Sequence, residues 1–356
     1  MGLRDRSAPD RLTGLLGAAI AGAWGLSARV RQPPDLACRD RTHTLRVAHR
    51  QEVAHDQDVV ALTLEAADGS PLPRWFPGAH IDVRLPSGRI RQYSLCGDVD
   101  SVDYRIAVRR IPAGGGGSVE VHDELPVGAT VTTGGPRNAF PLSTPGHGSP
   151  ARRFRFVAGG IGITPILSML AQAQRLGVDW SMIYVGRSVG SLPFVDELSA
   201  FCDRVEIRTD DVYGLPTADD LLRACPDGTA VYACGPAPML TAIRSRLAAR
   251  DNVELHFERF AAPPVLDGEE FAVRIASTGA VVDVGARETL LSALQRSAVA
   301  APYSCQQGFC GTCRTQVLSG AVDHRDTLLT DPERVAGTML TCVSRARSGE
   351  CLTLDL

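Results

Sequence analysis

The chain has 356 residues, enough for two or three domains that each bury a core of their own. Hydrophobic residues make up 44% and charged residues 22%, and the formal net charge is -3 without a long run of one sign. This is the composition of an ordinary globular protein, and it argues against a nucleic-acid binder.

Residues 1–43 are predicted to form an N-terminal extension with a helical segment. Its uncharged stretch, residues 12–28, lies between Arg11 and Arg29 and contains several glycines. A membrane span needs about 20 predominantly apolar residues, so this stretch is short for one, and no signal-peptide cleavage site follows it. We expect a helix that packs on the protein, and contact with a membrane surface is the alternative.

Residues 44–142 show the pattern of short β-strands. Apolar and polar residues alternate in three runs, which glycine and proline separate. Several short strands without a long helix predict an antiparallel β-barrel. The following stretch, residues 143–151, is rich in Ser, Pro and Gly and is predicted to be a linker. The alternating apolar positions are Val60, Leu62, Leu64, Ile81, Val83, Leu85, Tyr104, Ile106 and Val108.

Two motifs in this barrel carry residues that suit phosphates and aromatic rings. An arginine, an aromatic side chain and a hydroxyl at neighbouring strand positions can bind a phosphate, cover a flavin ring and hydrogen bond to its edge. A glycine-rich turn before a helix can present N–H groups to a phosphate. From the residues alone, an ordinary packed strand and a flexible loop stay open as alternatives. The candidate residues are Arg91, Gln92, Tyr93, Ser94, Gly116, Gly117 and Ser118.

From residue 154 the pattern changes to strands that alternate with helices, which predicts a parallel sheet. Thr164 is predicted to be the N-cap of the first helix, with Pro165 as its first residue, and this helix can run to Gly177. A second helix begins near Pro238. The predicted strands are residues 154–157, 181–185, 205–208 and 230–234.

Gly160 and Gly162 follow the first of these strands, where a dinucleotide can approach the backbone and the positive end of a helix. The pattern differs from the Rossmann fingerprint, because Pro165 stands in place of the third glycine and no acidic residue closes the second strand. Arg187 at the end of that second strand can pair with a 2′-phosphate or lie over the adenine.

The C-terminal part of the chain is predicted to be a small α+β domain behind a proline-containing linker, residues 261–269. A hairpin is expected from residues 271–276 and 281–284, a helix from residues 289–296, and a closing strand from residues 351–356. Cys351 is expected to be a buried residue of that last strand.

The most specific motif is a set of four cysteines, Cys305, Cys310, Cys313 and Cys342. Their C-x4-C-x2-C spacing with one distant cysteine matches the ligand pattern of plant-type 2Fe-2S clusters. Gly308 and Gly311 allow the loop to turn tightly and aim N–H groups at sulfur. A zinc site is the alternative, although zinc sites usually pair two short CxxC elements. The other cysteines lack a disulfide-like pattern, which favours a reducing, cytoplasmic location.

In this order, the motifs resemble the phthalate dioxygenase reductase and vanillate demethylase reductase family. The resemblance rests on residues 91–95, 116–118, 135–142 and the cysteine pattern, and covers residues 44–356. It implies a multidomain α/β plus β fold that is ferredoxin-reductase-like: an antiparallel β-barrel flavin domain, a parallel α/β nucleotide domain and a C-terminal β-grasp ferredoxin domain. Gly115 stands where relatives often carry an arginine, so Arg91 or another basic residue has to supply the cation near the phosphate.

The resemblance also implies cofactors and roles. It implies FMN rather than FAD and NADH rather than NADPH. Thr164 would lie near the flavin and the nicotinamide, Cys234 with Gly235 beside the nicotinamide, and Phe260 near the flavin; Thr164 and Cys234 are thereby the catalytic candidates. From its own context, Cys234 could equally be a small buried core residue.

We therefore divide the chain into an extension (1–43), a flavin-binding barrel (44–148), an NAD-binding domain (149–260), a linker (261–269) and a 2Fe-2S ferredoxin domain (270–356). The expected function is electron transfer from NADH through FMN and the cluster to a terminal oxygenase of Rieske, P450 or di-iron type. The alternatives are a stand-alone flavin oxidoreductase with a small-molecule acceptor and a non-catalytic redox sensor.

Overall fold

The computed structural model describes residues 42–112, 115–145, 148–201, 203–223, 225–260, 265–303, 306–308, 311–326 and 328–356. The predicted helix at residues 12–28 and the first part of the linker, residues 261–264, lie outside the described residues. Within the described ranges, no helix has the length and hydropathy that a membrane span requires.

The first sheet is antiparallel and curls into the predicted barrel. Its strands are β1 (Thr42–Ala54), β2 (Val59–Ala66), β3 (Ala79–Arg84), β4 (Ile90–Ser94), β5 (Tyr104–Arg109), β6 (Thr130–Gly134) and β7 (Arg137–Asn138). The order is β4-β3-β6-β1-β2-β5, with β7 beside β3, and the outer strands β4 and β5 contact each other. The alternating apolar side chains face one core, which includes Leu62, Leu64 and Ile81. Helix α1 (Gly117–Glu124) follows β5.

The predicted linker at residues 143–151 is packed rather than free. Two short parallel strands, β8 (Thr144–Pro145) and β9 (Gly148–Ser149), pair within it. The backbone N–H of Ser143 donates to the hydroxyl of Tyr232 (2.8 Å), and Ala151 is buried in the core of the next sheet. The segment that the sequence predicts to be a linker is therefore packed on the second sheet through Ser143 and Ala151.

The second sheet is parallel, as predicted, and has the strand order β12-β11-β10-β13-β14. Side chains of its central strands are buried on both faces, which is typical of a sheet covered by helices. The strands are β10 (Arg153–Gly159), β11 (Asp179–Gly186), β12 (Val205–Thr209), β13 (Thr229–Cys234) and β14 (Val253–Glu258). The helices are α2 (Ile163–Arg175), α3 (Val195–Leu198), α4 (Asp210–Tyr213), α5 (Ala218–Leu221) and α6 (Ala237–Leu247).

Helix α2 packs on one face of this sheet and α6 on the other. The start of α2 differs from the prediction. A short 3-10 turn, Gly160–Gly162, leads into the helix, Gly162 is the N-cap, and the helix begins at Ile163. The prediction that Thr164 caps the helix is wrong, because the glycine turn starts the helix before it; the Thr164 hydroxyl donates to the carbonyl of Ile161 instead (3.0 Å).

The third sheet is mixed and has the order β16-β15-β21-β17-β19. Its strands are β15 (Phe271–Ile275), β16 (Val281–Val284), β17 (Arg314–Ser319), β19 (Thr338–Leu340) and β21 (Leu352–Leu354), with a small pair β18 (Val322–Asp323) and β20 (Arg345–Ala346) beside it. Helices α7 (Leu290–Arg296) and α8 (Asp331–Val335) complete this part. The predicted hairpin is confirmed. Cys351 precedes the last strand and is exposed, so its predicted burial is wrong; the alternation places Leu352 and Leu354 inside instead.

Two arginines hydrogen bond to backbone carbonyls of residues 266–269, the segment that leads into the third sheet. Arg345 is 2% exposed and donates to the carbonyls of Glu269 (2.8 Å) and Glu288 (2.5 Å). Arg325 donates to the carbonyl of Leu266 (2.5 Å). The entering segment therefore belongs to the third sheet structurally, while the domain boundaries inferred from sequence stay predictions.

Replacing Gly162 with alanine tests the packing between α2 and β13. A Cβ at Gly162 would lie 2.2 Å from the carbonyl oxygen of Cys234, a backbone atom that cannot rotate away. We expect Gly162→Ala to lower the free energy of unfolding by about 1–3 kcal/mol. The control is Gly134→Ala, where the nearest atom would be 3.8 Å away; it should stay within about 0.5 kcal/mol of wild type in urea unfolding. Equal stability of the two variants would contradict this packing.

Candidate functional site

A cavity of about 880 Å³ lies where the three sheets meet. Its walls come from β3, β4 and β5 of the barrel, and from the start of α2 and the end of β14 in the parallel sheet. The third part of the wall is the segment around α7 together with the loop at residues 305–313, here called the cysteine loop. Cavities of this size at module junctions are the usual place for cofactors. Predicted site residues that line it are Arg91, Gln92, Tyr93, Ser94, Ser118, Thr164 and Phe260.

Strand β4 supplies the barrel wall of this cavity. The amide of Gln92 donates to the Asp82 carboxylate (3.0 Å), which fixes that side chain. Burial raises the pKa of Tyr93 well above its ordinary value, so its phenol is a neutral hydrogen-bonding group. Ser94 at the end of the strand is only 6% exposed. The run therefore presents one aromatic ring and several polar groups to the same space.

The glycine-rich turn before α1 lies against the Arg91 guanidinium. Arg91 Nη2 donates to the carbonyl of Gly115 (3.0 Å), and a Cβ at Gly117 would lie 2.5 Å from Arg91 Nε. Gly116 has a φ of 80°, which favours glycine. A second cation is near, since a Cβ at Gly116 would lie 3.7 Å from Arg89 Cζ. The turn thus combines backbone N–H groups with arginines, which is the donor set that a phosphate requires.

The predicted phosphate donors of this turn do not all face the cavity. Gly115 and Ser118 line it, whereas Gly116 and Gly117 are absent from its described lining. The hydroxyl of Ser118 accepts from the backbone N–H of Ile111 (3.0 Å), so it also ties the turn to the end of the barrel. Arg91 places a positive charge beside Gly115.

The end of β10 and the end of β13 meet through glycine. Gly162 packs on the carbonyl of Cys234, and Gly159 approaches Gly235 so closely that a Cβ there would be 3.4 Å from its Cα. In the strand order, β11 and β12 lie on one side of β10, whereas β13 and β14 lie on the other. Doubly wound sheets bind their ligands at such a switch point. Gly160 has a φ of 53° and open space beside it.

A buried carboxyl group lies between this edge and the barrel. Glu258, the last residue of β14, is 7% exposed, and the hydroxyl of Ser94 hydrogen bonds to it. Burial raises the Glu258 pKa to about 8, and its Oε2 has no hydrogen-bond partner among the described residues. Burial also raises the pKa of Cys234 well above its ordinary value, so its thiol is neutral. The family resemblance places the segment 256–260 near the flavin but gives Glu258 no role of its own.

Arg259 and Phe260 continue from β14 along the cavity. Phe260 is 51% exposed, and the Arg259 guanidinium lies over the ring of Phe257, 5.3 Å from its centroid. Thr164 faces the same space from α2 and is 1% exposed. An aromatic ring and a buried hydroxyl therefore stand on the nucleotide side of the cavity.

Arg187 lies apart from the described cavity lining, at the end of β11. Burial, and after it the charge of Arg187, lower the pKa of the Arg109 guanidinium, and Arg109 does line the cavity. The backbone N–H of Asp211 donates to the carbonyl of Arg187 (3.0 Å), which brings the acidic pair Asp210 and Asp211 beside it. The sequence shows no acid at the end of the second strand, but the third strand brings two to the same edge.

The cysteine loop is described in part. Cys313 and Cys342 are 2% and 1% exposed, and their Sγ atoms are 3.2 Å apart. This separation is far longer than a disulfide bond. An apolar cluster surrounds the pair, and Gly311 has a φ of 75°, as the tight turn requires. Two buried cysteine sulfurs side by side fit a metal cluster; Cys305 and Cys310 lie outside the described residues.

Comparison with known proteins identifies the C-terminal part of the chain and finds relatives that match most of its length. A family model described as a 2Fe-2S iron-sulfur cluster binding domain matches residues 273–347. Phenoxybenzoate dioxygenase subunit beta of Ectopseudomonas oleovorans is 42% identical over 305 residues, covering 84% of this chain and 93% of that protein. Vanillate O-demethylase oxidoreductase of Pseudomonas sp. (strain HR199) is 41% identical over 312 residues, covering 84% of this chain and 96% of that protein.

Solved structures extend this similarity to the fold. Phthalate dioxygenase reductase, described as a modular structure for electron transfer from pyridine nucleotides to [2Fe-2S], has 34% identity and a TM-score of 0.67. The match covers 90% of this chain and 99% of that one. An intact type IV self-sufficient cytochrome P450 monooxygenase matches with a TM-score of 0.67 and 40% identity, but the chain spans only 41% of its length.

Glu258→Gln tests whether this carboxyl is held neutral. Its pKa of about 8 in the folded protein lies above the ordinary 4.5, so the unfolded chain loses this proton first as the pH rises. Wild type should therefore lose stability relative to the variant by roughly 1.4 kcal/mol per pH unit between about pH 5 and 8. Urea unfolding of both proteins across this range measures the difference. Parallel pH profiles would show that Glu258 is ionised in the folded protein.

Proposed function

Because the chain belongs to the oxygenase reductase family of phthalate dioxygenase reductase and vanillate O-demethylase oxidoreductase, we propose that it takes electrons from NADH and delivers them through FMN and a 2Fe-2S cluster to a terminal oxygenase. One observation carries this proposal: a single cavity is lined by the barrel, the parallel sheet and the cysteine-bearing part of the chain. Carriers that exchange electrons in series need such a shared space.

The barrel side of the cavity would hold the flavin, which accepts a hydride and releases electrons singly. Arg91 and the glycine turn would bind its phosphate, and the compact turn that Gly117 permits supports this assignment. Gln92, Tyr93 and Ser94 would cover and orient the ring. FMN is proposed over FAD from the resemblance of the barrel motifs.

Ser94 and Glu258 would hold a proton beside the flavin ring. The neutral Glu258 carboxyl can hold a proton within the cavity wall, and the Ser94 hydroxyl connects it to the barrel strand. Thr164 and Cys234 are buried on the same side, and we assign them the positioning of the nicotinamide. Because both the thiol and the carboxyl stay neutral, this wall does not repel the electron-rich dihydronicotinamide.

The cysteine loop would hold the cluster, which accepts and donates one electron at a time. Cys313 and Cys342 supply two buried thiols, and we assign Cys305 and Cys310 as the other two ligands. The match of residues 273–347 to the 2Fe-2S domain family supports iron over zinc.

The dinucleotide would lie across the edge formed by β10, β11 and β13. Asp210 and Asp211 beside Arg187 favour NADH, since a 2′-phosphate would meet two carboxylates there. Arg187 remains available for the adenosine or the pyrophosphate. The predicted pairing of Arg187 with a 2′-phosphate is therefore the weaker of its two assignments.

The electron acceptor is assigned as a terminal oxygenase from the relatives, which are named as parts of dioxygenase and demethylase systems. A Rieske-type enzyme, a P450 or a di-iron enzyme would each use the same electrons. We propose a cytoplasmic location, which the buried free thiols of Cys96, Cys225 and Cys234 support.

Cys313→Ser separates the two carriers. The variant should lose the visible absorption and bound iron of the cluster and keep rapid bleaching of the flavin by NADH, because the flavin side of the cavity is untouched. Anaerobic spectra and iron analysis measure both. The control is Cys351→Ser, an exposed cysteine outside the ligand pattern, which should keep both signals. Retention of a normal cluster in Cys313→Ser would refute the ligand assignment.

Asp210→Ser tests the choice of dinucleotide. Removal of one carboxylate should raise the ratio of kcat/KM for NADPH to that for NADH on the order of tenfold, since repulsion of the 2′-phosphate is reduced. Steady-state reduction of an artificial acceptor with each dinucleotide gives this ratio. Asp251→Ser is the control, because Asp251 is exposed at the opposite edge of the sheet, before β14. An unchanged ratio in Asp210→Ser would contradict the assignment.

A further inference from the structure

One side chain of the cysteine loop makes a hydrogen bond to a residue outside the third sheet. The side-chain amide of Gln307 donates to the backbone carbonyl of Arg259, the residue that follows β14. Gln307 lies between Cys305 and Cys310 in the sequence, and both partners of this hydrogen bond line the 880 Å³ cavity. The bond therefore connects the loop that carries the cluster ligands with the nucleotide sheet, at the cavity itself.

The backbone on either side of Gln307 is held in an unusual conformation. Gln306 has a φ of 55°, in the left-handed region that non-glycine residues avoid, and Gly308 has a φ of 83°. A left-handed non-glycine residue costs of order 1 kcal/mol or more, so the surroundings must hold it in place. Close packing at Gly308 provides this support, because a Cβ there would lie 2.8 Å from the side chain of Val343, the residue next to Cys342. The loop thus directs Gln307 outward while its base packs beside a ligand cysteine.

The hydrogen bond continues a path that begins in the barrel. The Ser94 hydroxyl on β4 bonds to Glu258, and the next residue of the chain, Arg259, accepts from Gln307. The guanidinium of Arg259 lies over Phe257, so its carbonyl and not its side chain takes part. Ser94, Glu258, Arg259 and Gln307 therefore connect the barrel, the parallel sheet and the cysteine loop.

We propose that Gln307 is a positioning residue that fixes the cysteine loop relative to the flavin side of the cavity. The inference rests on the proposed function, in which electrons pass singly from the flavin to the cluster. Gln307 itself is neither oxidised nor reduced and exchanges no proton; its amide N–H satisfies the strand-end carbonyl and sets the separation. Small displacements of reacting groups have large effects on rate, so loss of this bond should slow the transfer into the loop and leave hydride uptake unaffected.

Two variants separate the hydrogen bond from packing. Gln307→Glu keeps the size of the side chain but lacks the N–H donor, whereas Gln307→Ala removes both. The matched control is Gln295→Ala, a glutamine that lines the same cavity from α7 and whose side chain makes no hydrogen bond within the described part of the chain. Each holoprotein is mixed rapidly with NADH without oxygen, and the bleaching of flavin and cluster is followed separately. The electron paramagnetic resonance spectrum and midpoint potential of the cluster are measured in parallel.

Both Gln307 variants should reduce flavin at the wild-type rate and reduce the cluster more slowly, on the order of tenfold. The resonance spectrum of the cluster should not change in either variant, and its potential should stay at the wild-type value in Gln307→Ala, which adds no charge. Gln295→Ala should match wild type throughout. Unchanged cluster reduction in both variants overturns the proposal. So does a wild-type rate in Gln307→Glu alone, which would assign the effect to packing, or loss of the cluster, which would assign Gln307 to holding iron. A wild-type protein without flavin or cluster bands would instead refute the proposed function.

Discussion

The carboxyl end of strand β14 is where the barrel, the nucleotide sheet and the cysteine loop contact one another. Glu258 receives a hydrogen bond from Ser94 of the barrel, and Arg259 receives one from Gln307 of the loop. Phe260 then lines the cavity that all three parts share. A parallel sheet binds ligands at this edge, so the contact places the dinucleotide side of the molecule beside both other parts. Electron carriers in series depend on such proximity, and this strand end provides it.

The cavity also separates charge. Its barrel side carries Arg91 and Arg89 next to a glycine turn, which suits a phosphate. On its nucleotide side Glu258 lines the cavity and Cys234 is buried near it, and raised pKa values keep both groups uncharged. Burial disfavours the charged form of both groups, so each stays neutral in the folded protein. The result is a polar, cationic region for the cofactor phosphate and a neutral region for the reacting rings.

Local sequence patterns predicted most of the fold. Period-two alternation located the barrel strands, and the alternation of strands and helices gave the parallel sheet, because both depend on which neighbours in sequence are buried. Contacts between segments that are far apart in the sequence are harder to predict from such patterns. Thr164 was expected as a helix cap because the pattern Thr-Pro suits one, yet the preceding glycines begin the helix. Cys351 was expected inside because it is apolar, yet the strand register buries its neighbour.

The same limit applies to the site. The four cysteines and the glycine turns are contiguous motifs, and their residues could be named from sequence. Glu258, Asp211 and Gln307 have partners far along the chain, Ser94, Arg187 and Arg259 respectively, and no local pattern contains that information. The individual assignments of cofactor-binding residues stay predictions that the variants described above address.

The central claim is that one chain carries a flavin and a 2Fe-2S cluster that fill with electrons from NADH. An anaerobic titration of the purified protein with NADH, followed by visible spectroscopy, tests it most directly. The account predicts that flavin and cluster bands both bleach, and that the cluster band bleaches only in protein that contains flavin. A protein that stays colourless after reconstitution with FMN, iron and sulfide would contradict it, as would a cluster that remains oxidised while the flavin is fully reduced.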